Sequence, residues 1–264
     1  MMTMKTLPIE HLSYSSISLF LTCGKAWKYR YIDKVQAAPS PNLIIGSCVH
    51  DTVEKVVGDH SLGIDCEDIT VVAHQIIANR LEKEDGINNT PEAENVRNEV
   101  LRIVEAPLIL SGINLLRAKV DEDGPMIERK VTLEVPEVDV PIIGYIDIIL
   151  DDGTPADFKT ATRSWTLEKA QSELQPVFYL GAMGQMGMPV NWKFQHLVMV
   201  KNKTPKFQMF EHEHKAIEVF RLCENVQKVW KSMNEGTFLP AAPGSWKCSP
   251  KVCEFWAICQ GATA

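Results

Sequence analysis

From its start the chain sets apolar residues at helical spacing. In residues 13–31 (SYSSISLFLTCGKAWKYRY) hydroxyl groups suited to a helix start precede Ile17, Phe20 and Leu21, and Gly24 divides the stretch into two short helices. Beyond a loop with Pro39 and Pro41, residues 44–57 predict another helix, whose Ile45, Val49, Val53, Val56 and Val57 form a broad apolar stripe. Further helices are predicted near 66–84 and 92–117, the second kinked or broken at Pro107. At Met126 the period changes. MIERKVTLEV, VPIIGYIDIIL and TPADFKT are short and β-branched, with Asp151, Asp152 and Gly153 as turn chemistry, and they predict a β-meander. A helix over 167–186, strands NWKFQHLVMV and KFQMFEHE, and a long helix over 214–234 follow. The tail from Gly236 holds Pro240, Pro243, Pro250 and three cysteines, which predicts irregular chain held by something other than backbone pairing. The order of elements points to an α+β or mixed α/β core, with a helical N-terminal lobe over 1–120.

Composition narrows the function classes. At 264 residues, 45% hydrophobic and 23% charged, the chain fits one globular domain rather than a disordered chain. No apolar run approaches the roughly 18–20 residues of a membrane-spanning helix. With 27 basic against 34 acidic residues, the net charge of −7 excludes a protein that holds nucleic acid by bulk positive charge. MMTMKTLPIE lacks the apolar centre of a signal peptide, and the seven cysteines match no short secreted framework. A reducing, cytoplasmic compartment is expected, where clustered cysteines more often bind metal than form disulfides.

The strongest chemistry lies in GYIDIILDDGTPADFKT. A turn centred on Asp152 sets Asp147 and Asp157 opposite each other on neighbouring strands, about 4.5–5.5 Å apart at Cβ. Strand alternation puts Lys159 on the face of Asp157 and turns Phe158 to the other. Two carboxylates and an ammonium then converge, as a divalent cation and a developing phosphate charge require. A solvated hairpin face is the plainer reading of such a trio. Against it, Asp147 stands within Ile142, Ile143, Tyr145, Ile146, Ile148 and Ile149, a run apolar on both faces, where a carboxylate needs a partner. Upstream, His50 and Glu54 in GSCVHDTVEK share a helix face at i and i+4, with Gly46 allowing close backbone approach. Glu128 reads equally as a solvated charge or as a further acidic group near the site. Gln175 and Tyr179 in QPVFY project together from a helix that Pro176 places at its first turn.

Together these residues resemble the RecB-type nuclease family of the PD-(D/E)xK superfamily, in the branch with the AddB nuclease domain, phage exonucleases and CRISPR-adaptation exonucleases. The resemblance rests on the Ser-rich stretch from Ser16 to Cys23, GSCVH, GYID, DFK, QPVFY and the cysteine tail, in that order along nearly the whole chain. It implies a mixed central sheet flanked by helices in a single nuclease domain. His50, Asp147, Asp157 and the Phe158 carbonyl would ligate Mg²⁺ or Mn²⁺, and Lys159 would position or activate the attacking water. Gln175 and Tyr179 would steady Lys159 and the DNA backbone. The implied reaction is phosphodiester hydrolysis, by an exonuclease acting on single strands or DNA ends in recombination, repair or CRISPR adaptation. A prokaryotic or phage-encoded enzyme with a helicase, recombinase or integrase partner is in keeping with that branch. The competing reading is a non-catalytic DNA-binding or assembly subunit of such a complex.

The same resemblance pairs Cys23 with Cys248, Cys253 and Cys259 as ligands of a [4Fe–4S] cluster that ties the tail (236–264) to the N-terminal helices, with structural Zn²⁺ as the alternative. Four residues separate Cys248 from Cys253, where this family usually has two. Trp246, Phe255 and Trp256 are expected to shield the cluster. Cys48, Cys66 and Cys223 read as small buried hydrophobes. For DNA, KAWKYRYIDK offers Lys25, Lys28, Arg30, Lys34 and Tyr31 for phosphate contact and base stacking, though the same residues would serve to pack the first helix pair. Lys201, Lys203 and Lys206 form a second basic run.

Overall fold

The computed structural model describes residues 7–36, 40–64, 68–83, 90–250 and 252–261. In chain order these form α1 (Tyr14–Thr22), α2 (Gly24–Tyr31), α3 (Pro41–Ser61), α4 (Ile69–Lys83), α5 (Pro91–Val104), α6 (Pro107–Ile113), β1 (Val120–Asp121), β2 (Gly124–Pro125), β3 (Ile127–Leu133), β4 (Ile142–Ile149) and β5 (Pro155–Ala161). There follow α7 (Leu167–Gln171), α8 (Gln175–Gln185), β6 (Lys193–Val200), β7 (Lys206–Glu213), α9 (Ala216–Asn234) and α10 (Trp256–Gly261). This is the mixed α/β class that the sequence predicts. Among the described residues, no helix is long and apolar enough to cross a membrane.

The helix boundaries follow local chemistry. Pro107 stands in the first turn of α6, so the helix predicted over 92–117 is two. The helix predicted over 167–186 is also two, because residues 172–174 break it before Pro176 opens α8. The tail is irregular down to Cys253 but ends in the short helix α10, which the sequence reading does not include. Nor does it include β1 and β2, whose two residues each are too few to carry a period.

Strands β3 to β7 form one sheet in sequence order. The β4/β5 and β6/β7 pairs are antiparallel and β5/β6 is parallel. A parallel neighbour cannot be reached through a tight turn, and the crossover from β5 to β6 carries α7 and α8.

Contacts group the chain into two compact units, one made of Met1–Ala38, Val131–Gly144 and Lys215–Ala264, the other of Pro39–Lys130 and Tyr145–His214. The second unit has a core in which Val49, Val53 and Val57 of α3, Val96 and Val100 of α5, Ile148, Phe158, Leu197 and Met199 are all buried. On β5, Ala156 and Phe158 belong to that core, so alternation turns Asp157 and Lys159 to the opposite face. In the first unit, Cys23 ends α1 and caps α2, its sulfur accepting the Ala26 N–H at 3.4 Å. Gly24 is required there: a Cβ would lie 2.9 Å from the Leu239 nitrogen and 3.0 Å from Phe238 backbone. The stretch after α9 thus runs hard against the start of α2, where Trp27, fully buried, stacks on Phe238.

Candidate active site

Register decides which carboxylates meet. Ile148 pairs with Ala156 and Ile149 with Pro155, the register of a turn centred on Asp152, and the backbone pairing stops one residue short of Asp147 and Asp157. Asp147 Oδ2 accepts the Phe158 N–H at 2.7 Å, so a side chain takes a bond that a strand partner would otherwise supply. Asp147 is half-buried and Asp157 only 2% exposed. Burial, and then the charge of Asp157, pushes Asp147 well above the ordinary carboxylate range. Tyr145, expected inside an apolar run, is instead exposed; its strand has solvent on that side.

Helix α3 brings the next donors. His50, Glu54 and Asp147 each offer a ligand atom within 4.8 Å of the others, the one such group among the described residues. Gly46, one turn before His50, permits this approach, since a Cβ there would stand 3.2 Å from Thr160 Oγ1 on β5. His50 Nε2 is buried without a hydrogen-bond partner. Burial first, and then Lys159, lowers the His50 pKa to about 4, so the imidazole is neutral at pH 7 with a lone pair to offer. Glu54 is raised to about 8 by burial and by the charges of Glu128, Asp51 and Asp157. An unpartnered imidazole nitrogen beside crowded carboxylates is the donor set that a divalent cation satisfies. Glu54 is the candidate ligand that the resemblance leaves out. Its signal is the i, i+4 spacing to His50. Glu128 belongs to the acidic surroundings of the site rather than to a remote surface, and it holds a left-handed backbone with φ of 50° at the start of β3.

Asp157, expected as a metal ligand, turns its carboxylate to Lys159 and lies outside the group of three. Burial alone would lower the Lys159 pKa, but Asp157 and Asp147 outweigh it and hold the ammonium charged. Lys159 Nζ also donates to Gln175 Oε1 at 2.9 Å. Gln175 Nε2 in turn donates to the Tyr179 hydroxyl at 2.9 Å, and that hydroxyl donates to the Tyr145 carbonyl at 2.5 Å. The pair on α8 therefore acts as a strut from the sheet to Lys159. Phe158 sends its ring into the core, 6.1 Å from the centroid of His50.

A sequence model of the PD-(D/E)XK nuclease superfamily matches residues 11–260. The chain belongs to that superfamily. A crystal structure from Eubacterium rectale, provisionally described as an exonuclease, has a similar fold, with a TM-score of 0.58 and 12% sequence identity over 90% of this chain and 86% of that one. Comparison with curated protein sequences finds no match.

Elsewhere in this PD-(D/E)XK nuclease, Cys23, Cys248, Cys253 and Cys259 all belong to the first unit, but among the described residues no three of them bring their sulfurs within 4.8 Å of one another, and burial raises the Cys253 thiol. Phe255 is buried, but Trp246 is 71% exposed and so shields nothing. Cys48 is buried with its thiol pushed up to about 11, an inert hydrophobe, and burial also raises Cys223. Cys66 lies outside the described residues. In the basic strip, Lys28 pairs with Asp33 at 2.6 Å, and Arg30 pairs with Glu254 and lies over Phe255. These two cations are used within the fold, whereas Lys25 and Tyr31 are half-exposed on α2. Lys201 donates to Asn42 at 2.7 Å.

Proposed function

We propose that this nuclease is a Mg²⁺- or Mn²⁺-dependent deoxyribonuclease, an exonuclease acting on single strands or ends. The observation that carries the reading is the convergence of His50, Glu54 and Asp147 beside a Lys159 fixed by Asp157 and Gln175. The cation would supply charge against the scissile phosphate and acidify water at its surface. The protein's part is positional. Neutral His50 and the two carboxylates would form the cradle, and a cation bound there would displace the protons that burial and crowding hold on the carboxylates. Lys159, charged, is a donor rather than a base: it orients the attacking water and offsets charge on the phosphate oxygens. Gln175 and Tyr179 keep it from collapsing wholly onto Asp157. The description of the Eubacterium rectale protein supports the exonuclease reading by analogy of fold.

The four cysteines are proposed to bind a [4Fe–4S] cluster that fastens the tail to the α1/α2 junction, with Zn²⁺ as the alternative. A visible spectrum and iron analysis of anaerobically purified protein distinguish the two. The nuclease reading is tested with end-labelled single-stranded DNA and Mg²⁺ or Mn²⁺. Mononucleotide release is expected, abolished by EDTA and reduced at least a hundredfold in Lys159→Ala. Digestion indifferent to both would refute the assigned site.

A further inference from the structure

Trp246 lines a cleft of about 600 Å³ that the active site does not use, within the size range of small-ligand sites. Leu21 and Leu239 share its lining and are 59% and 70% exposed, so three large apolar side chains face solvent together. An apolar surface alone would suit many partners. Two further observations narrow the choice. The Lys247 ammonium lies over the Trp246 ring, 5.9 Å from its centroid, and Thr22, Thr237 and Ser245 join the lining. Among the described residues that line the cleft, none is acidic, in a chain with 34 acidic residues against 27 basic. A ring to stack on, a cation beside it, small polar residues and no carboxylate to repel a phosphate together match one chemistry, a base joined to a phosphodiester.

We propose that this cleft is a subsite for single-stranded nucleic acid, with a base stacked on Trp246 and a phosphate facing Lys247. The substrate class rests on the nuclease reading above. The residues of the cleft lie wholly within the first unit, on α1, the end of α9 and the chain that follows it.

The test is binding of fluorescein-labelled oligothymidine to the full chain in EDTA, where no turnover interferes, read as anisotropy. Trp246→Ala is expected to weaken binding about tenfold, and Trp246→Phe, which keeps a ring, by less than about threefold. Lys247→Glu should weaken binding and make its salt dependence shallower. Because Lys247→Glu leaves the apolar packing in place, it reads the cleft even where Trp246→Ala unfolds the tail. Equal affinity in wild type, Trp246→Ala and Lys247→Glu overturns the proposal. If those variants instead lose a concentration-dependent self-association while oligothymidine binding is intact, the cleft belongs to a second copy of the chain and the proposal likewise falls. A protein that binds oligothymidine through Trp246 yet cleaves no DNA with either metal supports the subsite and refutes the nuclease reading.

Discussion

At the scale of single residues, protonation couples the site to stability. Glu54, raised to about 8, stays protonated in the folded protein while its unfolded counterpart ionises above about 4.5. Between those values the unfolded state binds fewer protons, so metal-free stability falls as pH rises. His50, lowered to about 4 from 6.5, acts oppositely between those two values and is silent above them. His50 is therefore silent over pH 6.5–8, where Asp147, also raised, acts in the same direction as Glu54. There the melting temperature of metal-free protein should fall with pH, and Glu54→Gln should flatten the fall; a slope unchanged by that substitution would remove Glu54 as its source. The Tyr179 hydroxyl gives a second expectation. It is buried and bonded twice, so Tyr179→Phe strands the Tyr145 carbonyl and the Gln175 amide, at a cost of about 1–3 kcal/mol. Chemical denaturation checks that cost, and kcat should fall less than in Gln175→Ala, which releases Lys159 directly. Of these residues, Asp147, Asp157 and Lys159 were legible because a turn centred on Asp152 and a period of two fix their faces. The partnership of Glu54 with Asp147 was not. An i, i+4 spacing says which helix face a carboxylate occupies, never which strand that face will meet.

At the scale of elements, the approach of α3 to β5 decides whether the cradle closes. Gly46 leaves room where a methyl would press on Thr160 Oγ1 at 3.2 Å. Gly46→Ala should shift α3 by a few tenths of an ångström and lower kcat severalfold, and Thr160→Ala should relieve it in the double variant. Steady-state kinetics of the four proteins close the cycle, and simple additivity would show that the contact does not matter. The glycine stands out in GSCVH, but its neighbour on β5 is a property of the sheet. Strand order was likewise beyond local pattern: β5 and β6 are separated by two helices, and nothing in either strand says that they lie side by side and parallel. The break at 172–174 carries neither glycine nor proline, and only Pro176, which the sequence places in a first helical turn and the structure finds there at the start of α8, marks it.

At the scale of the molecule, neither compact unit is a continuous piece of chain. The divisions at Lys130 and Gly144 fall inside β3 and β4, so simple truncation isolates neither unit. The first unit gathers three segments, and Cys23 and the tail cysteines come from the outer two. Cys23→Ser should therefore lower the melting temperature and raise hydrogen exchange in α1, α2 and α10, with loss of any visible absorption. Unaltered melting would contradict a fastening role. The composition is now easier to understand. An excess of acidic residues excluded binding by bulk charge, and the structure gathers part of that excess around His50 and Lys159 while the described lining of the Trp246 cleft holds no carboxylate.

The cradle also has a history during synthesis. His50 and Glu54 emerge from the ribosome long before Asp147, and Lys159 gains its strut only after Gln175 and Tyr179 have followed. A nascent chain that stalls before β4 carries His50 and Glu54 with nothing opposite them, and one that stalls between β5 and α8 carries Lys159 without its strut. The full set of His50, Glu54, Asp147, Lys159, Gln175 and Tyr179 therefore exists only once about two-thirds of the polypeptide has been made.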